Sequence, residues 1–374
     1  MQGWLSSQEK ALLAQGLALS KVAGHRNHRR LVMAVQSQPD HLMRRLGLDD
    51  PDHFARGFDG FQAKIAAEIE AARAAGATRF LFTSEHFHSR LKTVEEISKI
   101  KAILAPSVAR FRVLVYLREQ SDVRRSLYST ALKKGYPIAP VAFQSDVDPS
   151  WSYYNYEALL NQWAQVFGHA AIVPVIYAPD QFEQGDIRRD FWARLNAETS
   201  GKTTDTPPAF PLQDRENDAL SLEEAQFAYA LNCVMRGPDD TQRAHERRAR
   251  IMKGLREAQG ARSRFTLPNA AQVFDRFLAS NSRMAQAFLA HQAAPFQAPQ
   301  DSYDPSQWAQ VAPAQGPRLR AITDQFDLHR DVSADIARFD AQGGSLNDLI
   351  VLIHHLLAPP PSSRRGFWQA LRLQ

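Results

Sequence analysis

Residues 111–117, FRVLVYL, lead directly into residues 118–135, REQSDVRRSLYSTALKKG. The first segment is almost entirely apolar and rich in residues that favour β-structure, which predicts a buried parallel strand. The second segment predicts a helix, and Ser121 is placed to cap its first turn. A strand that continues into a helix in this way is typical of α/β proteins.

Two more apolar runs, RFLFT at 79–83 and AIVPVIY at 171–177, predict further buried strands. Helical patterns lie between them, at 61–69 before Gly76 and at 156–167 before Gly168, and each glycine stands where a helix ends. This alternation predicts an α/β fold with three layers, α/β/α, around a central parallel sheet. Active sites of such folds lie at the carboxyl ends of the strands.

Composition narrows the class of protein. The chain has 374 residues, and its 44% hydrophobic content is sufficient for a large core. No apolar stretch approaches the roughly 20 residues that span a bilayer, and no signal peptide pattern opens the chain, so we expect a cytoplasmic protein without a membrane span. Cys233 is the only cysteine, which excludes an internal disulfide and a zinc finger.

The charge balance favours an anionic partner. The net charge is +5 and the pI is about 9.3, as suits a protein that binds a nucleotide, an acidic glycan or nucleic acid. The most basic segment, 241–264, has eight Lys or Arg residues against two Glu. It lacks interleaved aromatic residues that would stack on bases. A solvated helix face is the favoured interpretation of this segment, and we expect no nucleic-acid partner.

The C-terminal part of the chain differs in composition. We predict an α/β domain over 1–290, a linker or wrapped loop over 291–317, which is rich in Pro, Gln and Ala, and a helical C-terminal segment over 318–374. The apolar run Leu346–Leu357 is the clearest helix of that last segment.

Arg118 stands at the carboxyl end of the predicted strand 111–117 and beside the start of the next helix. A guanidinium binds phosphate through two parallel hydrogen bonds, and a helix N-terminus adds unpaired amides and a positive dipole. Ser126 adds a hydroxyl donor farther along the same helix. These donors together predict a site for a dianion such as a phosphate, although an ordinary ion pair or capping role for Arg118 is the alternative.

The chain resembles bacterial sulfotransferases of the P-loop type, which carry an Arg and a Ser eight residues apart at this junction, as Arg118 and Ser126 are here. The resemblance continues in Tyr128, and it covers most of 1–290. It implies 3′-phosphoadenosine-5′-phosphosulfate (PAPS) as donor, a hydroxyl of a carbohydrate or other small molecule as acceptor, and the 3′-phosphate on Arg118 and Ser126. The other similar segments are YEALLNQWAQVFG (156–168), YAPDQF (177–182), GDIRRDFWARL (185–195), RENDALSLEEAQ (215–226) and FDRFLASN (274–281).

Residues 83–91, TSEHFHSRL, follow another predicted strand and contain the candidate catalytic base. Sulfuryl transfer needs a group that accepts the acceptor's hydroxyl proton. Members of the family use a Glu or a His in this neighbourhood, so the resemblance implies Glu85 first and His86 second. The alternative is that Glu85 serves the start of a helix and that His86 and His88 pack in the core. No histidine pair has the spacing of a metal site, so we expect no metal.

One departure from the family concerns its glycine-rich phosphosulfate loop with a Lys and a Ser or Thr, which does not occur in the 374 residues. Residues 1–16 resemble the helix that follows this loop. Either residues upstream of Met1 supply the loop, or the protein is a non-catalytic relative that binds an anion, a nucleotide or a glycan. We expect weak binding of 3′-phosphoadenosine 5′-phosphate (PAP) by the chain as given, and tight binding by an N-terminally extended form.

Two further alternatives concern the reaction and the acceptor. A P-loop kinase would need metal ligands at the strand ends, where this sequence has Glu85 and Arg118 instead. The loop 142–156 carries Trp151, Tyr153 and Tyr154, which either stack on a sugar or attach the loop to the protein body.

Overall fold

The structure is a computed structural model that describes residues 1–143, 147–196, 209–210, 219–235, 241–290, 294–328 and 331–358. Parts of several predicted segments lie outside these ranges. They are 144–146 of the loop 142–156 (the aromatic loop), 215–218 of the segment 215–226 that resembles sulfotransferases, 291–293 of the linker, and 329–330 and 359–374 of the C-terminal segment.

The described residues form a mixed α/β structure that is mainly helical. The strands are β1 Leu17–Leu19, β2 Arg79–Leu81, β3 Val113–Leu117, β4 Ile172–Ile176, β5 Gln310–Val311 and β6 Gly344–Ser345. The helices are α1 Gln2–Ser7, α2 Glu9–Ala14, α3 Arg29–Met33, α4 His41–Arg45, α5 Pro51–Phe58, α6 Phe61–Ala74, α7 His86–Arg90, α8 Val94–Leu104, α9 Gln120–Lys133, α10 Tyr156–Phe167, α11 Ile187–Asn196, α12 Leu222–Val234, α13 Gln242–Glu257, α14 Ala270–Phe288, α15 Pro305–Ala309, α16 Gly316–Thr323, α17 Ser333–Gln342 and α18 Leu346–Leu357.

The strands pair two by two within the described part of the chain. β1 is parallel to β2, with Leu17 opposite Arg79, and β3 is parallel to β4, with Val113 opposite Ile172. β5 and β6 form a short antiparallel pair. The three strands predicted from apolar runs are therefore observed as β2, β3 and β4. The described residues do not join the two parallel pairs into one sheet.

The chain divides into two contact units. Unit 1 contains 1–118, 148–214 and 276–297, and unit 2 contains 119–147, 215–275 and 298–374. Both parallel pairs belong to unit 1. The division into 1–290, 291–317 and 318–374 that composition suggested stays a prediction; the segment 291–317 includes the short helix α15 and strand β5.

Each unit has its own apolar cluster. In unit 1, Trp4 and Leu5 of α1 and Phe191 and Trp192 of α11 are buried against side chains of both parallel pairs, namely Leu17, Leu19, Leu81, Leu114 and Tyr116. In unit 2, α12 and α18 contribute much of a larger cluster that also includes Tyr128 of α9. The helical segment after 318 thus packs within unit 2.

Local sequence explains the helices that frame the candidate site. Helix α6 buries Phe61, Ile65 and Ile69 on one face, as the four-residue spacing predicted. Helix α10 starts at the N-cap Asn155, whose side chain accepts from the amide of Ala158, and it ends at Gly168, which has a φ of 91°. Among the described residues, no helix is long and apolar enough to cross a membrane.

Helix α9 begins differently from the prediction. Its N-cap is Glu119, whose carboxylate accepts from the amides of Ser121 at 2.9 Å and Asp122 at 3.1 Å. The predicted cap, Ser121, is the second residue of the helix and donates its hydroxyl to Glu119. The assignment of the cap to Ser121 was wrong because the helix starts directly after Glu119, whose carboxylate binds the first free amides of the helix.

Candidate functional site

The segment that follows β2 is held by a histidine from another part of the chain. Nδ1 of His28 accepts a hydrogen bond from the amide of Thr83 at 2.6 Å, and Nε2 lies 2.9 Å from the carbonyl oxygen of Ser20. His28 therefore carries its proton on Nε2 and donates it to Ser20. The amide of His28 also donates to the carbonyl of Thr83 at 3.0 Å. The imidazole thus connects the ends of β1 and β2, where the strand pairing stops.

Glu85 lies two residues beyond this connection and its side chain is 62% exposed. Asn27 donates from Nδ2 to both carboxylate oxygens, at 3.0 and 2.8 Å, and Gln2 donates to Oε2 at 2.9 Å. Glu85 occupies the N-cap position of α7, but within the described residues its side chain caps no amide. The carboxylate is therefore oriented by amide side chains and stays accessible to a substrate.

His86 lies next to Glu85 and is much less accessible. Its Nε2 is 3.4 Å from Oε1 of Glu85, and its side chain is 14% exposed. Nδ1 is buried without a hydrogen-bond partner among the described residues. Burial lowers the pKa of His86, and Arg29 and Arg90 lower it further, while Glu85 and Asp40 raise it. The ring is therefore neutral at neutral pH and has an unprotonated nitrogen.

Two arginines and an aspartate complete the surroundings of His86. Asp40 accepts from Arg29 at 2.5 Å and forms an ion pair of 3.2 Å with Arg90. The side chain of Asp40 also caps α4 through the amide of Met43. This cluster had no local signal in the sequence, since its members come from three separate segments.

His88, in the same short helix, is half-buried and packs against an aromatic side chain. Its ring stacks on Tyr153 with 4.7 Å between centroids, and its Nε2 lies 2.9 Å from the carbonyl of Tyr153. Burial lowers the pKa of His88 to about 4. Tyr154 is fully buried and packs edge-on against Trp151. These contacts favour a role in which the aromatic loop attaches itself to unit 1.

Arg118 follows the last residue of β3, as predicted from the sequence. Its guanidinium lies over the ring of Tyr177, 5.1 Å from the centroid. Tyr177 follows β4 in the same way, and its amide donates to the carbonyl of Leu117 at 2.7 Å. Arg118 therefore stands at the carboxyl end of a parallel strand pair, with its charge supported by an aromatic face.

Tyr156 lies between the two candidate regions of unit 1. Its hydroxyl donates to the carbonyl oxygen of Arg118 at 2.6 Å, and its ring centroid is 6.2 Å from that of His88. The helix that follows Glu85 and the backbone of Arg118 thus contact the same side chain.

Ser126 belongs to α9 in unit 2 and is half-buried, with its carbonyl accepting from the hydroxyl of Thr130 at 3.0 Å. Arg118 belongs to unit 1, so a phosphate site shared by Arg118 and Ser126 stays a prediction. The first amides of α9, which were expected to add to that site, are occupied by the carboxylate of Glu119. Burial raises the pKa of Glu119.

Within unit 1, Glu85 can accept a proton, and so can His86 if its ring becomes accessible. Arg118 supplies a positive charge at the end of β3. No group of three His, Cys, Asp or Glu side chains that could hold a metal ion occurs among the described residues.

Comparison of the chain with protein-family models, with curated proteins and with solved structures gave no match.

Proposed function

We propose that this protein is a sulfotransferase of the P-loop type that transfers a sulfuryl group from PAPS to a hydroxyl of a carbohydrate or other small acceptor. One observation carries the proposal: Tyr156 contacts both the helix after Glu85, through His88, and the backbone of Arg118. An accessible carboxylate and an arginine at a strand end are thus connected within one unit. A three-layer arrangement around one central parallel sheet, and a cytoplasmic location, belong to the same proposal.

In the proposed reaction, Glu85 takes the proton of the acceptor hydroxyl as the new oxygen–sulfur bond forms. The bond between sulfur and the oxygen of the 5′-phosphate breaks in line with it, and PAP leaves with that electron pair. The exposure of Glu85 suits this role better than the buried ring of His86 does. His86 lies close enough to Glu85 to stabilise the carboxylate before proton transfer. General base catalysis of this kind typically contributes about 10²–10⁴-fold to the rate.

Arg118 acts away from the reacting atoms. Its guanidinium, held over Tyr177, binds the 3′-phosphate of the donor. Binding energy from such a remote group orients the reacting group and so contributes to the rate as well as to affinity.

The direct test is transfer of a radiolabelled sulfuryl group from PAPS to a panel of neutral and acidic saccharides. It is run on the 374-residue chain and on a form extended by any in-frame codons upstream of Met1. We expect labelled saccharide, and we expect Glu85→Gln to lower kcat by at least about 10²-fold. Glu95→Gln is the matched control, because Glu95 is 81% exposed and pairs with Lys99 on the surface of α8; it should keep full activity. Equal activity of Glu85→Gln and Glu95→Gln would refute the role of Glu85.

A second candidate is a binding protein that holds the nucleotide or a glycan without transfer. The position of Glu119 favours a protein without transfer, since its carboxylate already occupies amides that would help to hold the donor's phosphate, so that any nucleotide is held only weakly. PAP binding without labelled product from either form supports this second function. Absence of both binding and transfer contradicts the two candidates together.

A further inference from the structure

The side chain of Asn27 closes a hydrogen-bonded circuit around Glu85. Its Nδ2 donates to both oxygens of the carboxylate, while its Oδ1 accepts from the hydroxyl of Ser84 at 2.5 Å. The oxygen of Ser84 in turn accepts from the amide of His86 at 3.1 Å. The turn from Ser84 to His86 and the carboxylate of Glu85 are therefore fixed by one amide side chain.

The orientation of that amide is determined by its neighbours. An ionised carboxylate only accepts hydrogen bonds, so the NH₂ group of Asn27 must face Glu85. The carbonyl oxygen of Asn27 must then face the hydroxyl of Ser84, which donates to it. Rotation of the amide by 180° would place two acceptors against each other. The circuit consequently has one satisfied arrangement, and it fixes the direction of the carboxylate.

The backbone around Asn27 is fixed as well. Gly24 has a φ of 131°, and a Cβ at that position would lie 2.3 Å from the carbonyl oxygen of Asn27. Only glycine therefore permits this turn. On the other side of Asn27, His28 is buried and bonded to Thr83 through both its backbone and its ring. The segment from Gly24 to His28 thus holds Asn27 in place against the residues that precede α7.

We propose that Asn27 is a positioning residue that holds the Glu85 carboxylate in the orientation needed to accept the proton of the acceptor hydroxyl, with Ser84 acting through Asn27. This inference rests on the proposed function and deepens it. A misplacement of about 1 Å costs on the order of 10²-fold in rate. Asn27→Ala should therefore lower kcat by about 10–100-fold, while the KM for the acceptor changes less than about twofold, because Asn27 binds the base rather than the substrate.

Asn27→Asp gives a signature that a merely structural role would not produce. It replaces the donor with a carboxylate next to Glu85, and a like charge disfavours the ionised form of its neighbour. The acidic limb of the pH–rate profile should move upward by about one pH unit or more. Gln62→Glu is the matched control, because Gln62 is an exposed amide of α6 in the same unit. It adds the same charge and should leave the profile unchanged.

Coupling between the two residues is tested with Ser84→Ala and the double variant Asn27→Ala/Ser84→Ala. If Ser84 acts through Asn27, the double variant is no slower than Asn27→Ala alone. Multiplicative losses in the double variant contradict the circuit. Should Asn27→Ala fail to fold, as judged by thermal unfolding, Ser84→Ala alone still predicts a smaller loss of kcat in the same direction.

A readout without catalysis separates this inference from the proposed function. The full chain is labelled with ¹³C at glutamate carboxyl groups, and the Glu85 signal is assigned by its loss in Glu85→Gln. In Asn27→Asp the midpoint of the Glu85 titration should move to higher pH, and in Gln62→Glu it should match the wild type. Equal midpoints in these two variants overturn the inference even if transfer is observed. If the Glu85 midpoint moves in Asn27→Asp but no sulfuryl transfer is observed, the hydrogen-bonded circuit is supported and the proposed function is refuted.

Discussion

The hydroxyl of Tyr156 donates a 2.6 Å hydrogen bond to the carbonyl oxygen of Arg118. Tyr156 is 1% exposed, so this bond is protected from water. The bond fixes the backbone of Arg118, which follows strand β3. Its donor, Tyr156, is the first residue of α10. The position of the Arg118 guanidinium over Tyr177 therefore depends on a side chain from a different part of the chain.

Tyr156→Phe should weaken both stability and donor binding. Removal of the hydroxyl leaves the Arg118 carbonyl without this donor, which costs about 1 kcal/mol in the free energy of unfolding. The apparent KM for PAPS should rise several-fold, while the KM for the acceptor is affected less. Urea unfolding and steady-state kinetics measure these effects. Tyr136→Phe, at a tyrosine that is 43% exposed, is the control; a Tyr156→Phe protein with the same donor KM as this control would contradict the prediction.

Glu119→Ala should tighten the binding of PAP. The carboxylate occupies the amides of Ser121 and Asp122 at the start of α9, and its removal frees them for a phosphate and removes a repulsive charge. We expect a several-fold lower Kd for PAP by calorimetry. We also expect a stability loss of about 1 kcal/mol, because a helix cap is lost.

Asp304→Ala separates the two consequences of Glu119→Ala. Asp304 caps α15 in the same manner, accepting from the amides of Ser306 and Gln307. It should lose a similar amount of stability with no change in PAP affinity. Weaker PAP binding by Glu119→Ala than by wild type would show that these amides do not serve the nucleotide.

Stability should fall as the pH decreases below about 6.5. Burial lowers the pKa of both His28 and His88, the latter to about 4 from an ordinary value of 6.5. Between these values the unfolded chain binds protons that the folded chain does not, so stability is complete above about pH 6.5 and is lost as the pH falls towards the folded pKa values. His88 alone accounts for about 3 kcal/mol over this range.

Urea unfolding from pH 7.5 down to pH 4 measures this loss. His88→Phe keeps an aromatic ring against Tyr153 and removes the titrating group, so its stability should depend less steeply on pH than that of the wild type. An equal slope in the two proteins would mean that His88 does not titrate as its burial implies.

Regular elements were predictable where a periodic pattern was long enough. Helices α6 and α10 appear where apolar spacing and a following glycine placed them, and Gly168 has the positive φ that such an end requires. Strand β1, Leu17–Leu19, was missed because its apolar run ends at the polar residues Ser20 and Lys21 and is shorter than the run RFLFT that predicted β2. The pairing of strands two by two also depends on long-range contacts that no local pattern contains.

Glu85 and Arg118 could be named as candidates because both follow apolar strands, at whose ends such folds place chemistry, and because the family resemblance points to the same positions. Asn27 was not, since its contact with Glu85 spans 58 positions and depends on the φ of Gly24. The cap of α9 illustrates the limit of local reasoning, because Glu119 and Ser121 are two residues apart and only the start of the helix decides between them.

Recognition of the nucleotide 3′-phosphate by Arg118 is tested most directly by titrating PAP and 5′-AMP, which differ only in that phosphate, against wild type and Arg118→Ala. Ligand-observed NMR detects even weak binding. We expect wild type to bind PAP at least about tenfold more tightly than 5′-AMP, which corresponds to about 1.4 kcal/mol, and Arg118→Ala to lose this preference. Equal affinity of the wild type for the two nucleotides, or an undiminished preference in Arg118→Ala, would contradict the assignment of Arg118 to the donor site.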